Sequence, residues 1–309
     1  MPTAAAQIEP PAAIGFIGLG QMGTPMAARL AKAGFAVKAW DRLEPARRGF
    51  ETAAGIAAAN SAADVCGAVT AVVTMLPDGK AVREVLCGAR GQEGALAAAA
   101  AGTCVIDMSS SSPVDTLALA ETLKPRGFPV VDAPVSGGVK RALDGTLAIM
   151  VGGEAAAVRR ALPLFQPLGG QVFRTGPLGS GHAMKALNNY VSAAGLAAAA
   201  EAVIVGSHFG LDPLVIVDVL NASTGRNNST ENKLKQQVLS GEFAAGFSLG
   251  LMAKDLHTAA DIARHLGVAA PLAEACEALW SEADRTLGAG ADHTEIFRYL
   301  TQLQAPSEK

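Results

Sequence analysis

The chain is poor in charged and aromatic residues, and each shortage excludes a class of protein. Charged residues make up 17% of its 309 residues, aromatic residues make up 5%, and the formal net charge is −3. Because the net charge is small and negative, it provides no global attraction to nucleic acid or to an anionic membrane surface. We therefore expect neither as a partner. Hydrophobic residues reach 50%, which is too many for a disordered chain and predicts an ordered globular protein.

Cysteine is also scarce, and its spacing excludes further classes. The cysteines form no CxxC pair and no cluster with histidine, and they are Cys66, Cys87, Cys104 and Cys276. Reduced thiols are therefore the simpler expectation than a disulfide framework, and we expect no bound metal.

Targeting and membrane signals are weak. The first thirteen residues, MPTAAAQIEPPAA, lack the basic segment and apolar run of a signal peptide. The alanine-rich runs at 95–101 and 191–200 are interrupted or flanked by polar residues, unlike a membrane span of roughly twenty apolar residues. We therefore expect a cytoplasmic protein.

Short apolar runs alternate with helical segments through the first half of the chain. The runs predict strands at 14–18, 35–41, 69–76, 103–108, 128–135 and 146–153. Helical patterns lie between several of them, and one starts at Ser112 before Pro113, a favoured first helical residue. This alternation predicts a doubly wound parallel sheet of the Rossmann type.

After about residue 177 the strand pattern disappears and long Ala/Leu-rich helical segments follow. They cover 181–209, 213–221, 230–239, 250–266 and 270–287. The predicted fold class is therefore α/β, with an N-terminal Rossmann sheet followed by an all-α C-terminal domain. The predicted bounds are a loose tail over 1–12, a dinucleotide-binding domain over 13–176, and a helical substrate and oligomerisation domain over 177–309.

A glycine motif follows the first predicted strand and opens the first predicted helix. The motif GLGQMG comprises Gly18, Leu19, Gly20, Gln21, Met22 and Gly23. In a GxGxxG loop the first glycine permits a tight turn, the second lets a pyrophosphate approach the backbone, and the third allows close helix packing. The strand and helix around it make a dinucleotide site the preferred interpretation over a purely structural turn.

Two neighbouring residues bear on the choice of cofactor. Asp41 ends the second predicted strand, where a carboxylate accepts hydrogen bonds from the adenosine ribose and repels a 2′-phosphate. Arg42 follows it, and an arginine there can bind a 2′-phosphate or stack on adenine. We weight Asp41 more and expect NAD, with NADP as the open alternative.

Several motifs occur together in order and carry a family resemblance. They include GFIGLGQMG, VVTMLPD, VIDMSSSSP, VVDAPVSGGVKRALDGTLAIMVGG, GSGHAMKALNNY and FSLGLMAKDL. Together they resemble the β-hydroxyacid dehydrogenase family, which includes 3-hydroxyisobutyrate dehydrogenase and tartronate semialdehyde reductase. The resemblance runs from about residue 13 to about 300. It implies hydride transfer between NAD(P) and a small β-hydroxyacid or its semialdehyde.

The resemblance also implies roles for individual residues. Lys185 would be the catalytic lysine. The substrate would contact Ser136, Gly137, Gly138 and Asn189. Beyond the glycine loop, Asp41 and Arg42, the cofactor would contact Leu76, Pro77, Ser110, Phe247 and Lys254. The chain has Ser109-Ser110 where the family commonly has Ser-Thr, and Ser110 keeps the hydroxyl.

The residues around Lys185 support this role by themselves. Lys185 and Asn189 are four residues apart, so they share one face of a helix. Gly179 and Gly181 precede them and would let a ligand approach the backbone. Burial and a positive nicotinamide both disfavour the charged form of an amine, which suits a general acid or base. The alternative is a solvated surface lysine.

Other candidates are weaker. His182, His257 and His265 lie on predicted helices without a second ligand at metal spacing, so we interpret the last two as surface residues. Arg226 or Asn227, in the polar segment STGRNNST, could reach the far end of the substrate.

Three other functions stay open at this point. Imine reductases share the architecture but usually lack the lysine, and non-catalytic dinucleotide-binding interaction proteins lose it and carry extra domains. A decarboxylating phosphogluconate dehydrogenase has a longer helical domain. The apolar helix at 181–209 needs cover on most sides, which predicts a homodimer or homotetramer.

Overall fold

The computed structural model describes residues 6–89 and 91–304 and divides into two compact units. The first unit is Met1–Lys185 and the second is Ala186–Lys309. The first is built from a sheet with helices and the second from helices, which confirms the predicted fold class.

Within the described residues, one sheet of eight strands organises the first unit. Its strand order is β2-β1-β3-β4-β5-β7-β6, with β8 also paired to β7. The strands are β1 Ala13–Ile17, β2 Ala36–Trp40, β3 Ala71–Thr74, β4 Cys104–Asp107, β5 Val130–Asp132, β6 Val135–Ser136, β7 Leu147–Gly153 and β8 Gly169–Gly176.

The first five strands pair in parallel, as the sequence predicts, and the far edge does not. Strand β7 runs antiparallel to β5 and β6 and parallel to β8. Strand β1 lies between β2 and β3. The chain therefore adds β2 on one side of β1 and β3 on the other, which places a switch in strand order beside the loop that follows β1. A switch point of this kind is where doubly wound sheets bind their ligands.

Helices flank these strands in sequence. They are α1 Gly23–Lys32, α2 Glu44–Ala54, α3 Ala62–Cys66, α4 Gly79–Cys87, α5 Pro113–Leu123, α6 Gly138–Asp144 and α7 Ala155–Phe165. Three of these described helices begin at capped ends. Ser61 accepts from the Asp64 amide before α3, Asp78 from the Ala81 amide before α4, and Ser112 from the Asp115 amide before α5.

The central strands β3, β4 and β5 are buried on both faces, whereas β8 at the edge is mostly exposed. Neighbouring residues of β3 divide between two cores: Val73 packs with Phe16, Ile106 and other residues of one, and Val72 packs into the other. Side chains alternate along a strand, so a continuous apolar run such as Ala71, Val72 and Val73 supplies both cores at once. This explains why β3 is apolar up to its last residue, Thr74.

The second unit is helical. It contains most of α8 Ser180–Phe209, then α9 Pro213–Ala222, α10 Asn228–Asn232, a π-helix Leu234–Leu239, α11 Leu249–His265, α12 Pro271–Leu287 and α13 Ile296–Gln302. Its core includes Leu196 and Val203 of α8, Leu256 of α11 and the fully buried Trp280 of α12. The short α13 and the π-helix are not distinguished by the sequence pattern.

Helix α8 is longer and more apolar than its alanine run suggests. It has 30 residues, its most apolar 18-residue window has a mean hydropathy of 1.5, and 39% of that window is buried. These values suffice for a membrane crossing by length and composition, and core helices of soluble proteins reach them too. Its buried side belongs to the helical core.

Two boundary expectations meet the structure differently. The loose tail predicted for 1–12 fails at Ile8, which is fully buried and donates its backbone amide to the Arg160 carbonyl oxygen at 2.9 Å. Residues 1–5 lie outside the described residues. The domain boundary near 176 stays a prediction, since the compact units meet nine residues later, within α8.

The cysteines are free thiols, and three of the four are buried. Burial raises the pKa of the Cys66 and Cys104 thiols to about 12. Such thiols stay protonated and unreactive near neutral pH.

Candidate active site

Of the three glycines in the loop after β1, Gly20 has open space beside it. Gly18 has a φ of +103°, and a Cβ there would meet the Met75 carbonyl oxygen at 2.2 Å. A Cβ on Gly23 would lie 1.9 Å from the Gly18 carbonyl oxygen. Gly20 faces open space, with nothing within 4 Å of a Cβ. Packing thus explains Gly18 and Gly23, and the free approach at Gly20 fits a bound pyrophosphate.

Asp41 holds this loop in place. One carboxylate oxygen accepts from the Leu19 amide at 2.8 Å, and the other accepts from the Leu43 amide at 2.8 Å. Arg47 donates to the Asp41 carbonyl oxygen at 2.6 Å. The carboxylate therefore ties the end of β2 to the loop after β1, the place where an adenosine ribose lies in dinucleotide folds.

The turns after β3 and β4 are joined by Ser109. Its hydroxyl oxygen accepts from the Leu76 amide at 2.9 Å, and its own amide donates to Asp107 at 3.0 Å. Asp107 is buried and also accepts from Thr74 at 2.9 Å and Ser111 at 2.7 Å. These bonds fix the predicted cofactor residues Leu76, Pro77 and Ser110 at the carboxyl ends of neighbouring parallel strands.

Asp132, at the end of β5, holds the start of α8. It is fully buried, and its carboxylate accepts from the Gly179 and His182 amides, each at 2.9 Å. A Cβ on Gly181 would lie 2.8 Å from Asp132 Oδ2 and 2.3 Å from the Met150 carbonyl oxygen. Gly181 thus serves internal packing, which corrects the expectation that it lets a ligand approach. Lys185 follows His182 by three residues on this anchored turn.

His182 is buried and joins the two carboxylate clusters. Its Nδ1 lies 2.7 Å from Thr116 Oγ1, and its Nε2 donates to the Ser109 carbonyl oxygen at 3.2 Å. The ring nitrogens also lie 3.7 Å from Asp107 and 3.8 Å from Asp132. No sequence motif predicts a role for His182 or for either aspartate, because the network links residues far apart in the chain.

The loop SGG follows directly from β6. Ser136 ends that strand and is partly buried. Gly137 has a φ of +132° and would bring a Cβ within 2.4 Å of Arg141 Cδ, whereas a Cβ on Gly138 meets nothing within 4 Å. The loop therefore has an open backbone position at Gly138, as a contact with a substrate carboxylate requires.

In the second unit a carboxylate links two predicted site residues. Asn189 is 7% exposed, and its Nδ2 donates to Asp255 Oδ2 at 2.6 Å. The other oxygen of Asp255 lies 3.0 Å from Lys254 Nζ. Asp255 thus orients both the predicted substrate asparagine and the predicted cofactor lysine. The motif KDL contained this aspartate, but the sequence alone did not identify its partner.

Phe247 is held by the turn that precedes α13. Its ring packs edge-on against His293 with centroids 5.8 Å apart. Asp292 accepts from the Gly246 amide at 2.9 Å and from Thr294, and its hydrogen bonds to His293 and Thr294 lower the pKa of its carboxyl against the opposing effect of burial. The local fold therefore fixes the position of the aromatic ring.

The weaker candidates have structural roles. Asn227 caps α10 through the Ser229 and Thr230 amides, and Arg226 lies exposed with Nε 3.7 Å from Glu231. His257 is exposed and pairs with Glu277 at 2.6 Å, as expected of a surface residue.

Comparison with known proteins agrees with this geometry in both units. Residues 13–176 match the family described as the NAD binding domain of 6-phosphogluconate dehydrogenase. Residues 179–300 match the family described as NAD-binding of NADP-dependent 3-hydroxyisobutyrate dehydrogenase. With the open position at Gly20, these matches define an NAD(P)-dependent dehydrogenase.

Individual relatives narrow the class. The chain is 37% identical to 2-(hydroxymethyl)glutarate dehydrogenase of Eubacterium barkeri, covering 95% of this chain and 96% of that one. The structure of Mycobacterium tuberculosis 3-hydroxyisobutyrate dehydrogenase with L-serine has a TM-score of 0.83 at 34% identity, covering 94% and 99% of the two chains. The chain belongs to the β-hydroxyacid dehydrogenase family.

The imine reductase alternative is more distant. The Streptomyces aurantiacus imine reductase aligns with a TM-score of 0.62 at 20% identity, over 94% of this chain and 99% of that chain, which shows a shared fold alone. The chain is an enzyme that transfers hydride between NAD or NADP and a small hydroxyacid or its semialdehyde, which also sets aside a non-catalytic binding role.

Proposed function

We propose that Lys185 is the proton-transfer group of this enzyme and that Asn189 orients its substrate. The observation that carries the proposal is the Asp132 anchor, with both hydrogen bonds at 2.9 Å. It fixes the turn before Lys185 to the end of β5, on the same sheet edge as the Leu76 and Ser109 turns. That edge is where a doubly wound sheet binds its ligand.

The proposed roles follow from this placement. The glycine loop and Asp41 would hold a nicotinamide dinucleotide, which would supply the hydride chemistry. During oxidation the amine of Lys185 takes the hydroxyl proton of the substrate, and during reduction its ammonium returns that proton to the carbonyl oxygen. The backbone of Gly137 and Gly138 and the hydroxyl of Ser136 bind the carboxylate, while Asn189, oriented by Asp255, binds beside the reacting carbon.

The substrate is tested with a matched panel. Three compounds share a CH₂OH group beside a carbon that bears the carboxylate, and they differ in the substituent on that carbon. These are 3-hydroxyisobutyrate with a methyl group, L-serine with an ammonium group, and 2-(hydroxymethyl)glutarate with a carboxyethyl group. Each is assayed with NAD and NADP by absorbance of the reduced nicotinamide. Turnover of none of the three would contradict the proposed function.

For the cofactor we propose NAD over NADP. Asp41 holds a carboxylate at the expected ribose position, fixed by the Leu19 and Leu43 amides. A 2′-phosphate there would meet this negative charge, although Arg42 lies beside it. Fluorescence titration should give tighter NADH than NADPH binding, and Asp41→Ser should narrow the difference. Tighter NADPH binding by the unmodified enzyme would make Arg42 the deciding residue.

We further propose a soluble cytoplasmic homodimer or homotetramer with the domain division near residue 176. Exposed apolar side chains on the helices of the second unit support the assembly, including Val191 at 67%, Val205 at 68% and Phe209 at 84% exposure. Light scattering over a hundredfold concentration range tests it, and a monomer throughout would refute the oligomer.

A further inference from the structure

A lysine in the second unit lacks a charged partner. Lys233 lies between α10 and the π-helix, its side chain is partly buried, and its Nζ lies 3.5 Å from Ser192 Oγ on α8. Among the described residues, no carboxylate oxygen comes within 4.0 Å of this nitrogen. One long hydrogen bond to a neutral hydroxyl leaves an ammonium with three donors poorly satisfied.

This lack of a partner is costly, because a buried charge is normally paired. Burial lowers the pKa of Lys233 to about 8, and the negative charge of Asp292 only partly offsets this. The carboxylate of Asp292 is already occupied by Gly246 and Thr294. By contrast, Lys235 pairs with Asp218 at 2.5 Å. The ammonium of Lys233 is therefore ready for an anion that the protein does not supply.

The position of Lys233 points to the substrate as the source of that anion. Ser192 follows Lys185 by seven residues and Asn189 by three on α8, so the three share one face of the helix. Lys233 thus lies beside the predicted substrate face, one turn beyond Asn189. Along the axis, Asn189 and Ser192 are separated by roughly 4.5 Å.

A small substrate with two acidic groups can bridge this separation. In 2-(hydroxymethyl)glutarate the hydroxyl oxygen and the second carboxylate are six bonds apart, or roughly 7 Å when extended at about 1.2 Å per bond. Hydrogen bonds of about 3 Å at each end add to that reach. The methyl group of 3-hydroxyisobutyrate stops well short.

We propose that Lys233 binds a second carboxylate of the substrate, so that the preferred substrates are 3-hydroxyacids with an acidic substituent at C2. This inference rests on the proposed function and names its substrate class. It replaces the expectation that Arg226 or Asn227 contacts the far end of the substrate, because Arg226 is exposed and Asn227 caps α10.

The test compares two substrates that differ only in that acidic arm. The unmodified enzyme should have a higher kcat/KM for 2-(hydroxymethyl)glutarate than for 3-hydroxyisobutyrate. Lys233→Met should lose about ten- to a hundredfold on the first, mainly through KM, because it removes a charge-assisted hydrogen bond. Its loss on the second should be at least fivefold smaller. Lys235→Met, two residues away, is the matched control and should change neither.

A binding measurement separates this inference from the proposed function. Glutarate should bind the unmodified enzyme more tightly than butyrate in calorimetry, and Lys233→Met should remove the difference. Equal affinities for glutarate and butyrate would overturn the role of Lys233 even in an active dehydrogenase. Tight, Lys233-dependent glutarate binding without turnover of any hydroxyacid would support the anion site and contradict the proposed function. Equal losses on both substrates in Lys233→Met would also overturn the inference.

Discussion

The aspartates around the predicted cofactor site of the first unit differ from Lys233 of the second unit in how completely the protein satisfies their charges. In the first unit, Asp41, Asp107 and Asp132 each accept two or more hydrogen bonds from loops and turns around the predicted cofactor site. In the second unit, the ammonium of Lys233 has, within 6–89 and 91–304, one long hydrogen bond, to Ser192 at 3.5 Å. This difference agrees with the proposed ligands. The protein itself supplies the hydrogen bonds around the cofactor site, whereas the second carboxylate of the substrate supplies the anion that pairs with Lys233.

The first way to sharpen this comparison is Lys185→Ala, which has the largest expected effect. Removing a general acid or base typically lowers the rate about a hundred- to ten-thousand-fold. The variant should stay folded and keep its affinity for NADH, because the glycine loop and Asp41 are unchanged. Single-turnover hydride transfer with enzyme in excess measures the effect.

Lys140→Ala is the matched control for Lys185→Ala. Lys140 follows the SGG loop, its side chain is 88% exposed, and it pairs with Asp144. It should turn over at the unmodified rate. Wild-type turnover by Lys185→Ala would mean that this lysine is only a solvated charge.

The second test loosens the frame of the first unit with Asp132→Asn. The change keeps the side-chain volume but removes the charge and one acceptor for the amides at the start of α8. We expect kcat to fall roughly tenfold with little change in KM, because charge-assisted bonds of about 1.5–3 kcal/mol hold the turn before Lys185. Asp144→Asn, on an exposed carboxylate, controls for general effects. A rise in KM at constant kcat would argue against a positioning role.

The third test concerns the stability cost of Lys233. Its pKa of about 8 lies below the usual 10.5, so the unfolded chain binds more protons between these values. The charge of Lys233 therefore lowers the free energy of unfolding by its full amount below about pH 8, and this penalty disappears as the pH rises towards 10.5. Lys233→Met should raise the free energy of unfolding by about 2 kcal/mol at pH 7.

Urea unfolding of both proteins from pH 7 to pH 10 measures this effect as a difference between two curves. The advantage of Lys233→Met should shrink with rising pH, while cysteine and tyrosine titrations cancel in the difference. A constant difference, or a less stable variant, would show that the ammonium is well solvated or paired.

The sequence predicts the local elements of both units for a physical reason. Strands such as β3 and the loop GLGQMG are local patterns, in which each residue type answers a constraint of its immediate backbone. The packing role of Gly23 is predictable because Gly18, the residue against which it packs, lies in the same motif. Strand β8 and the antiparallel β7 depend on edge pairing, which local patterns do not encode.

The side-chain networks could not be predicted in this way. His182 joins residues 109, 116 and 132, and Asp255 meets Asn189 across 66 positions of the chain. Lys233 lies in no recognised sequence motif. Its proposed anion-binding role is inferred from the lack of a nearby carboxylate among the residues that the structure describes. Long-range partners and missing partners become visible only when the fold brings the elements together.

The most direct test of the central claim measures two preferences in two variants. We assign cofactor choice to Asp41 in the first unit and substrate choice to Lys233 in the second. Asp41→Ser should lower the ratio of kcat/KM for NAD over NADP and leave the ratio for 2-(hydroxymethyl)glutarate over 3-hydroxyisobutyrate unchanged. Lys233→Met should lower the substrate ratio and leave the cofactor ratio unchanged. These assignments are contradicted if either variant shifts both ratios together or if Lys233→Met leaves the substrate ratio intact.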